Sequence, residues 1–197
     1  MPENKHAGEF DDLIKGYKEL KLRMIQQAAI TALNWFKASF VNQGFTDHGL
    51  VKWKSRLGSP QNNKGRALLM GTGAGAGTLK RGLRIKQTSL NGAIVGMDEA
   101  IPYAEIHNVG GTIPITPQMR RFFWAMYYQM GGGAVGGTSE RAQAANETAQ
   151  FYKNMALTKD EFITIPARQF IGDSALLEQE IKQYFTSELD KFFKIDQ

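Results

Sequence analysis

The stretch with the clearest chemical look is Leu68 to Ile85, LLMGTGAGAGTLKRGLRI. Glycines alternate with small residues there, and Thr78 and Lys80 follow closely, as in loops that cradle phosphate. A nucleoside-triphosphate loop needs G-x-x-x-x-G-K-[ST] after a buried strand, with the Lys reaching the phosphates. Here Gly71 is followed five positions on by Ala76, then Gly77 and Thr78, and Lys80 comes too late. A dinucleotide loop needs G-x-G-x-x-G/A, which Gly71, Gly73 and Ala76 match on paper. No acidic residue follows at the ribose-binding distance. The next regular element reads as a hairpin, not as the long helix whose N-terminus would hold the anion. The stretch is read as a connection that needs small residues, and no cofactor is assigned to it.

The other reactive side chains are sparse. His6, His48 and His107 do not sit at metal-ligand spacing, and no H-E-x-x-H occurs. The chain has no Cys, which removes disulfides, thiolate metal sites and Cys nucleophiles together. His107 lies near Glu105, a pairing that suits acid–base work. A half-buried His bonded near a turn is the simpler reading. No G-x-S-x-G is present. No catalytic or metal residue is assigned, and the chain is expected not to be an enzyme. Positive charge remains. The net charge is +5, and Lys52, Lys54, Arg56, Lys80, Arg81, Arg84 and Lys86 concentrate part of it. Such residues suit sequence-independent contact with DNA phosphates, with Lys80, Arg81, Arg84 and Lys86 as the DNA-facing set.

The elements that must position these residues are legible from periodicity. Within a segment from about Glu9 to Gln43, Leu22, Ile25, Ala29, Leu33, Phe36 and Phe40 step by three and four. Leu13, Tyr17, Leu20 and Met24 make a second row, so one long helix with a wide apolar stripe is expected, stopped at Gly44. Residues 1–8 are expected to be a disordered arm. A polar loop follows, pinned by Trp53. LRIKQTSLNGAIVGM reads as a hairpin turning at Asn91-Gly92. Tyr103 to Asn108 reads as a short helix ended by Gly110-Gly111, and Thr112 to Ile115 as an extended piece. Thr116-Pro117 then opens a helix running to about Met130. Residues 131–157 are Gly-rich and then polar, and are expected to form a flexible or partner-ordered insertion. Phe162 to Ile165 reads as a strand, and Asp173 or Ser174 as the cap of a final amphipathic helix. The expected class is α+β in a single domain. A small antiparallel sheet with a hairpin is packed by a long N-terminal helix, a central aromatic helix and a C-terminal helix.

The central helix, PQMRRFFWAMYYQM, is apolar nearly all round except at Arg120 and Arg121. Either it is the central core helix, or it has a second face, including Trp124 and Tyr128, that meets a partner subunit. No apolar run approaches the ~20 residues of a membrane helix, and the polar N-terminus is not a signal peptide, so no membrane partner is expected.

Several short motifs line up in order along the chain. They are the Phe40…Gln43 helix end, Trp53, TLKRGLRI, YAEIHNVGG (Tyr103 to Gly111) and IPARQFIG (Ile165 to Gly172) before the last helix. In this order the chain resembles the phage virion morphogenesis family, the tail-completion or neck proteins of Mu-like tailed phages. It is similar more distantly to tail-component proteins of long-tailed siphophages. The resemblance spans about Met24 to Phe193. It departs where the family's tight T-G-x-L is stretched and where Arg-Pro-Phe becomes Arg168-Gln169-Phe170. It implies a structural virion protein, made in the host cytoplasm, that forms a ring of expected six copies. Its implied neighbours are the tail tube and the connector, with DNA passing through the ring. It implies that Tyr103, His107, Gly110 and Gly111 shape the turn after the hairpin. It also implies that Pro166, Arg168 and Phe170 lock the final strand to the last helix, with Arg168 paired to a carboxylate of this or the next subunit. The rival readings are a DNA-binding protein and, behind it, a nucleotide hydrolase.

Overall fold

The computed structural model describes residues 5–55, 67–71, 77–133 and 135–194, with side chains from residue 8. The class is α+β. The described residues form helices α1 (Lys5–Asn42), α2 (Thr78–Gly82), α3 (Ala104–Val109), α4 (Pro117–Gln129), α5 (Glu140–Leu157) and α6 (Ala175–Lys194). The strands are β1 (Gly44–Thr46), β2 (Leu50–Lys52), β3 (Leu83–Ser89), β4 (Gly92–Met97), β5 (Gly111–Pro114) and β6 (Phe162–Ile165). They pair as three separate two-stranded antiparallel ladders, β1–β2, β3–β4 and β5–β6, rather than as one sheet.

The chain divides into two compact units. The first takes Met1–Lys52, Leu69–Ala104 and Gln169–Gln197; the second takes Trp53–Leu68 and Glu105–Arg168. In the first unit α1 packs on the β3–β4 hairpin, on β1 and on α6. Its stripe supplies Leu20, Met24, Ile25, Ala29, Phe36 and Phe40 to the core. Phe40 and Phe170 are almost wholly buried, their ring centroids 5.1 Å apart. α1 begins at Lys5, so the expected disordered arm is in part the first turn of the helix; residues 1–4 lie outside the described residues. The helix ends on Gln43, which takes φ 53, one position before the Gly expected to stop it. The Gln43 Nε2 donates to the Phe40 carbonyl at 2.6 Å, and Lys52 Nζ donates to that of Asn42 at 2.7 Å. Two side chains thus satisfy carbonyls that a helix end leaves open.

The β3–β4 turn is also displaced by one position. Ser89 pairs with Gly92, so Leu90 and Asn91 are the two turn residues, and Gly92 opens the return strand. Ser89 holds that turn, its Oγ accepting from the Asn91 N–H and donating to the Gly92 carbonyl, both at 3.3 Å. α6 is capped by Ser174, whose Oγ accepts from the Leu177 N–H at 3.2 Å and donates to the Thr46 carbonyl at 2.9 Å. One hydroxyl therefore caps a helix and ties it to β1.

The second unit holds β5 and β6 in register from Gly111↔Ile165 to Pro114↔Phe162, with α4 and α5 between them in sequence. α5 occupies most of the span expected to be a flexible insertion. Its Ala142, Ala149 and Ala156 are buried at seven-residue intervals and let α4 pack closely. Ser139 caps it, accepting from the Ala142 N–H at 3.3 Å. The Asn146 side chain both accepts from and donates to the Val135 backbone, at 3.0 and 3.1 Å. Gly131, Gly132 and Gly133 all take left-handed φ, 81, 64 and 76, which turns the chain from α4 into α5 at little cost only for glycine.

Replacing Phe170 by Ala empties the space beside Phe40 and is expected to cost about 3–5 kcal/mol. Urea unfolding would show it as a lower midpoint with an unchanged slope.

Candidate functional site

Two groups of residues in the second unit attract attention: the junction where the YAEIHNVGG and IPAR motifs meet, and the aromatic face of α4. At the junction, α3 ends on Gly110, whose N–H donates to the Ile106 carbonyl at 3.0 Å. Gly110 takes φ 78, and a Cβ there would lie 2.8 Å from the Ala167 nitrogen, so backbone meets backbone with no room for a side chain. Gly111 then enters β5 opposite Ile165, and Pro166 carries the chain out of β6. The Arg168 N–H donates to the His107 carbonyl at 2.9 Å. The two motifs are 50 or more residues apart in sequence, yet they build one structure.

Arg168 is 6% exposed. Its Nε donates to the Lys54 carbonyl and its Nη2 to the Ser55 carbonyl, both at 3.0 Å. The fork was expected to meet a carboxylate of this or the next subunit. These two partners are main-chain oxygens, which suit the planar donor set equally well. The half-buried His107 ring feels this cation. Burial first, and the Arg168 charge second, hold its pKa below the usual 6.5. Glu105, the sequence neighbour considered for acid–base work, is exposed. The remaining motif residues belong to the first unit: Tyr103, 44% exposed, and Phe170 against Phe40. The expected lock of Pro166, Arg168 and Phe170 is thus divided, with Arg168 anchored in one unit and Phe170 in the other.

α4 is shaped by its start signal. Thr116 Oγ1 accepts from the Met119 N–H at 3.2 Å and Pro117 opens the first turn. None of its residues is buried, so it is not a core helix. Phe122 is 54% exposed and Tyr128 68%. Trp124 stacks on Tyr128 with centroids 5.9 Å apart and meets Tyr127 edge-on at 5.7 Å. On the side toward α5, Phe123 stacks on Tyr152 at 6.5 Å, and the Lys153 ammonium lies 5.8 Å from the Tyr127 ring centre. Arg120 turns inward. Its Nη1 donates to the Ala156 and Thr158 carbonyls and its Nη2 to that of Asp160, at 3.3, 2.5 and 3.2 Å. It is a cation at the C-terminal end of α5, matched to the open carbonyls there. Arg121 is exposed.

The basic set expected to face DNA is partly neutralised. Arg84 forms an ion pair with Asp98, and Lys86 with Glu99 at 3.1 Å. Lys80 and Arg81 sit in the one-turn helix α2, with Arg81 exposed and Lys80 half-buried. Arg56 lies outside the described residues, as do Thr72 to Ala76 of the glycine stretch. Flanking those, the Gly77 N–H donates to the Met70 carbonyl and Gly77 opens α2, which has only five residues. Among the described residues no three His, Asp or Glu side chains gather as a metal site requires, and no helix is long and apolar enough to cross a membrane.

Comparison with family models, with curated proteins and with solved structures gave no match.

Because the folded state disfavours a charged His107, the unfolded chain binds that proton more tightly. The corresponding stability is complete above about pH 6.5 and is lost as pH falls below it toward the lowered folded value. His107→Gln is expected to flatten this part of the profile, read as the difference in thermal midpoint between variant and parent from pH 7.5 to 5.

Proposed function

We propose that the protein is a structural subunit of a tailed-phage tail or neck, a tail-completion or head–tail joining protein that assembles into a ring. The observation that carries this reading is α4. It is a 13-residue helix rich in Phe, Trp, Tyr and Met with no buried residue in the isolated subunit. Contiguous apolar surface of this kind marks a protein–protein contact, and Trp, Tyr, Met and Arg are the residues such contacts favour. Ring closure needs one patch that meets a different patch on the next copy. α4, braced from behind by α5, offers such a patch on a rigid support.

The motif junction adds to this. The residues on which the family resemblance rests hold the second unit together through Gly110, His107 and Arg168, as expected of motifs kept for architecture and not for chemistry. DNA passing through such a ring would meet a weakly positive protein. The Arg84–Asp98 and Lys86–Glu99 pairs leave this as a minor role, so a dedicated DNA-binding function is the weaker reading.

The test is the mass of the purified protein with negative-stain images of it and of virions. Rings, or density at a neck or tail end, are expected. The paired substitution of Phe122→Glu and Tyr128→Glu should abolish the rings and leave the circular dichroism spectrum and melting midpoint nearly unchanged. A stable monomer that never enters virions would overturn the proposal.

A further inference from the structure

A second apolar surface lies in the first unit, away from α4 in sequence. The α1 row Leu13, Tyr17, Leu20, Met24 supplies the core only from Leu20 onward. One turn and more toward the N-terminus, the same stripe continues into solvent: Phe10 is 63% exposed, Leu13 and Ile14 39%, and Tyr17 41%. The end of α6 extends it. Phe192 tilts against Tyr17 at 6.4 Å and Phe193 is 56% exposed. With Leu90 of the β3–β4 turn, Leu13, Ile14, Tyr17, Phe192 and Phe193 line a groove of about 510 Å³, edged by Lys18 and Lys21.

Charge along α1 is ordered. Glu9, Asp11 and Asp12 come first, then Lys15, Lys18, Lys21 and Arg23, with Glu19 among them on the side of the helix away from the apolar stripe. Asp11 and Lys18 are seven apart, so they fall on one flank of the apolar stripe. Neither makes an ion pair among the described residues. A helix that is acidic and then basic along an apolar seam is complementary to itself when reversed.

We infer that this groove takes a second copy of the chain, with the N-terminal halves of two α1 helices packed antiparallel about a two-fold axis near residues 14–15. In that register Leu13 of one copy lies over Tyr17 of the other, and Lys18 comes alongside Asp11. Flanks of the same kind face each other in antiparallel pairs, so the two Asp11–Lys18 contacts form by symmetry. An anionic membrane would suit the lysines but not Asp11 on the same edge. The shared seam is about 20 Å of helix, which is small beside a standard interface of about 1,600 Å². The pair is therefore a weak, concentration-dependent one. It uses a surface other than α4, does not rest on the tail reading, and does not itself close a ring. It holds free subunits as pairs.

The chain has no Cys, so a single introduced thiol reports without background. Ile14→Cys is expected to give a covalent dimer under mild oxidation, reversed by reductant, because only a two-fold contact brings one position against itself. Adding Asp11→Lys should lower the yield about tenfold at limiting concentration, since two attractions become two repulsions. Restoring the pairing with Lys18→Glu in the same chain should recover it. Absence of the cross-link overturns the inference, as does a cross-link indifferent to the charge reversals, or binding to anionic vesicles in its place. Rings that persist in the charge-reversed variants would leave the α4 reading intact, so the two can fail separately.

Discussion

A guanidinium that cannot lose its charge must, once buried, have its donors met by fixed acceptors. Arg168 imposes this on the second unit. Its fork reaches the carbonyls of Lys54 and Ser55, which fixes the segment after β2, and its own N–H fixes the end of α3 through the His107 carbonyl. Burial first, and then the same charge, lowers the pKa of the neighbouring imidazole. Gly110 is required because the backbone that follows β6 must come close enough for these bonds to form. A Lys in place of Arg168 would bring one rotating ammonium where two directed donors are needed.

The elements legible in the sequence were those whose signal is local. Thr116-Pro117 marked the start of α4, and Phe162 to Ile165 read as a strand at the observed limits of β6. Ser174 was one of two caps considered for α6. The apolar stripe gave α1, though its length could not say where the core beneath it would end. Other features depended on partners distant in the chain. α5 was hidden because its buried face is alanine and threonine, whose hydrophobic signal is too small to stand out in a polar segment. Its heptad of Ala142, Ala149 and Ala156, behind the Ser139 cap, was the available clue. Arg120 reads in sequence only as one of two charges on an apolar helix, because nothing local indicates that α5 ends within its reach. The Asn91-Gly92 signal located the hairpin but not its register, which Ser89 and the bulge at Lys86 decide.

The candidate site was legible as composition and not as geometry. An aromatic helix with few charges could be buried on all sides or shared with a neighbour. Only the placement of α5 along one side, with small residues on its inner face, leaves the other side of α4 uncovered. The basic residues illustrate the reverse case. Arg84 and Lys86 are conspicuous in sequence, and the acids that meet them, Asp98 and Glu99, lie one strand later, where the hairpin folds them back.

Neither compact unit is a continuous run of chain, and this orders events during synthesis. β5, α4, α5 and β6 follow one another, so most of the second unit can form as soon as it leaves the ribosome. The first unit waits for its last segment. Ser174 must find Thr46 across 128 residues, and Phe170 must find Phe40, before the stripe of α1 is covered. Such distant closures are slow compared with helix pairing. A nascent chain therefore presents a finished α4 face while the core-facing part of α1, from Leu20 to Phe40, is still bare, and the segment after β6 decides when that part is covered.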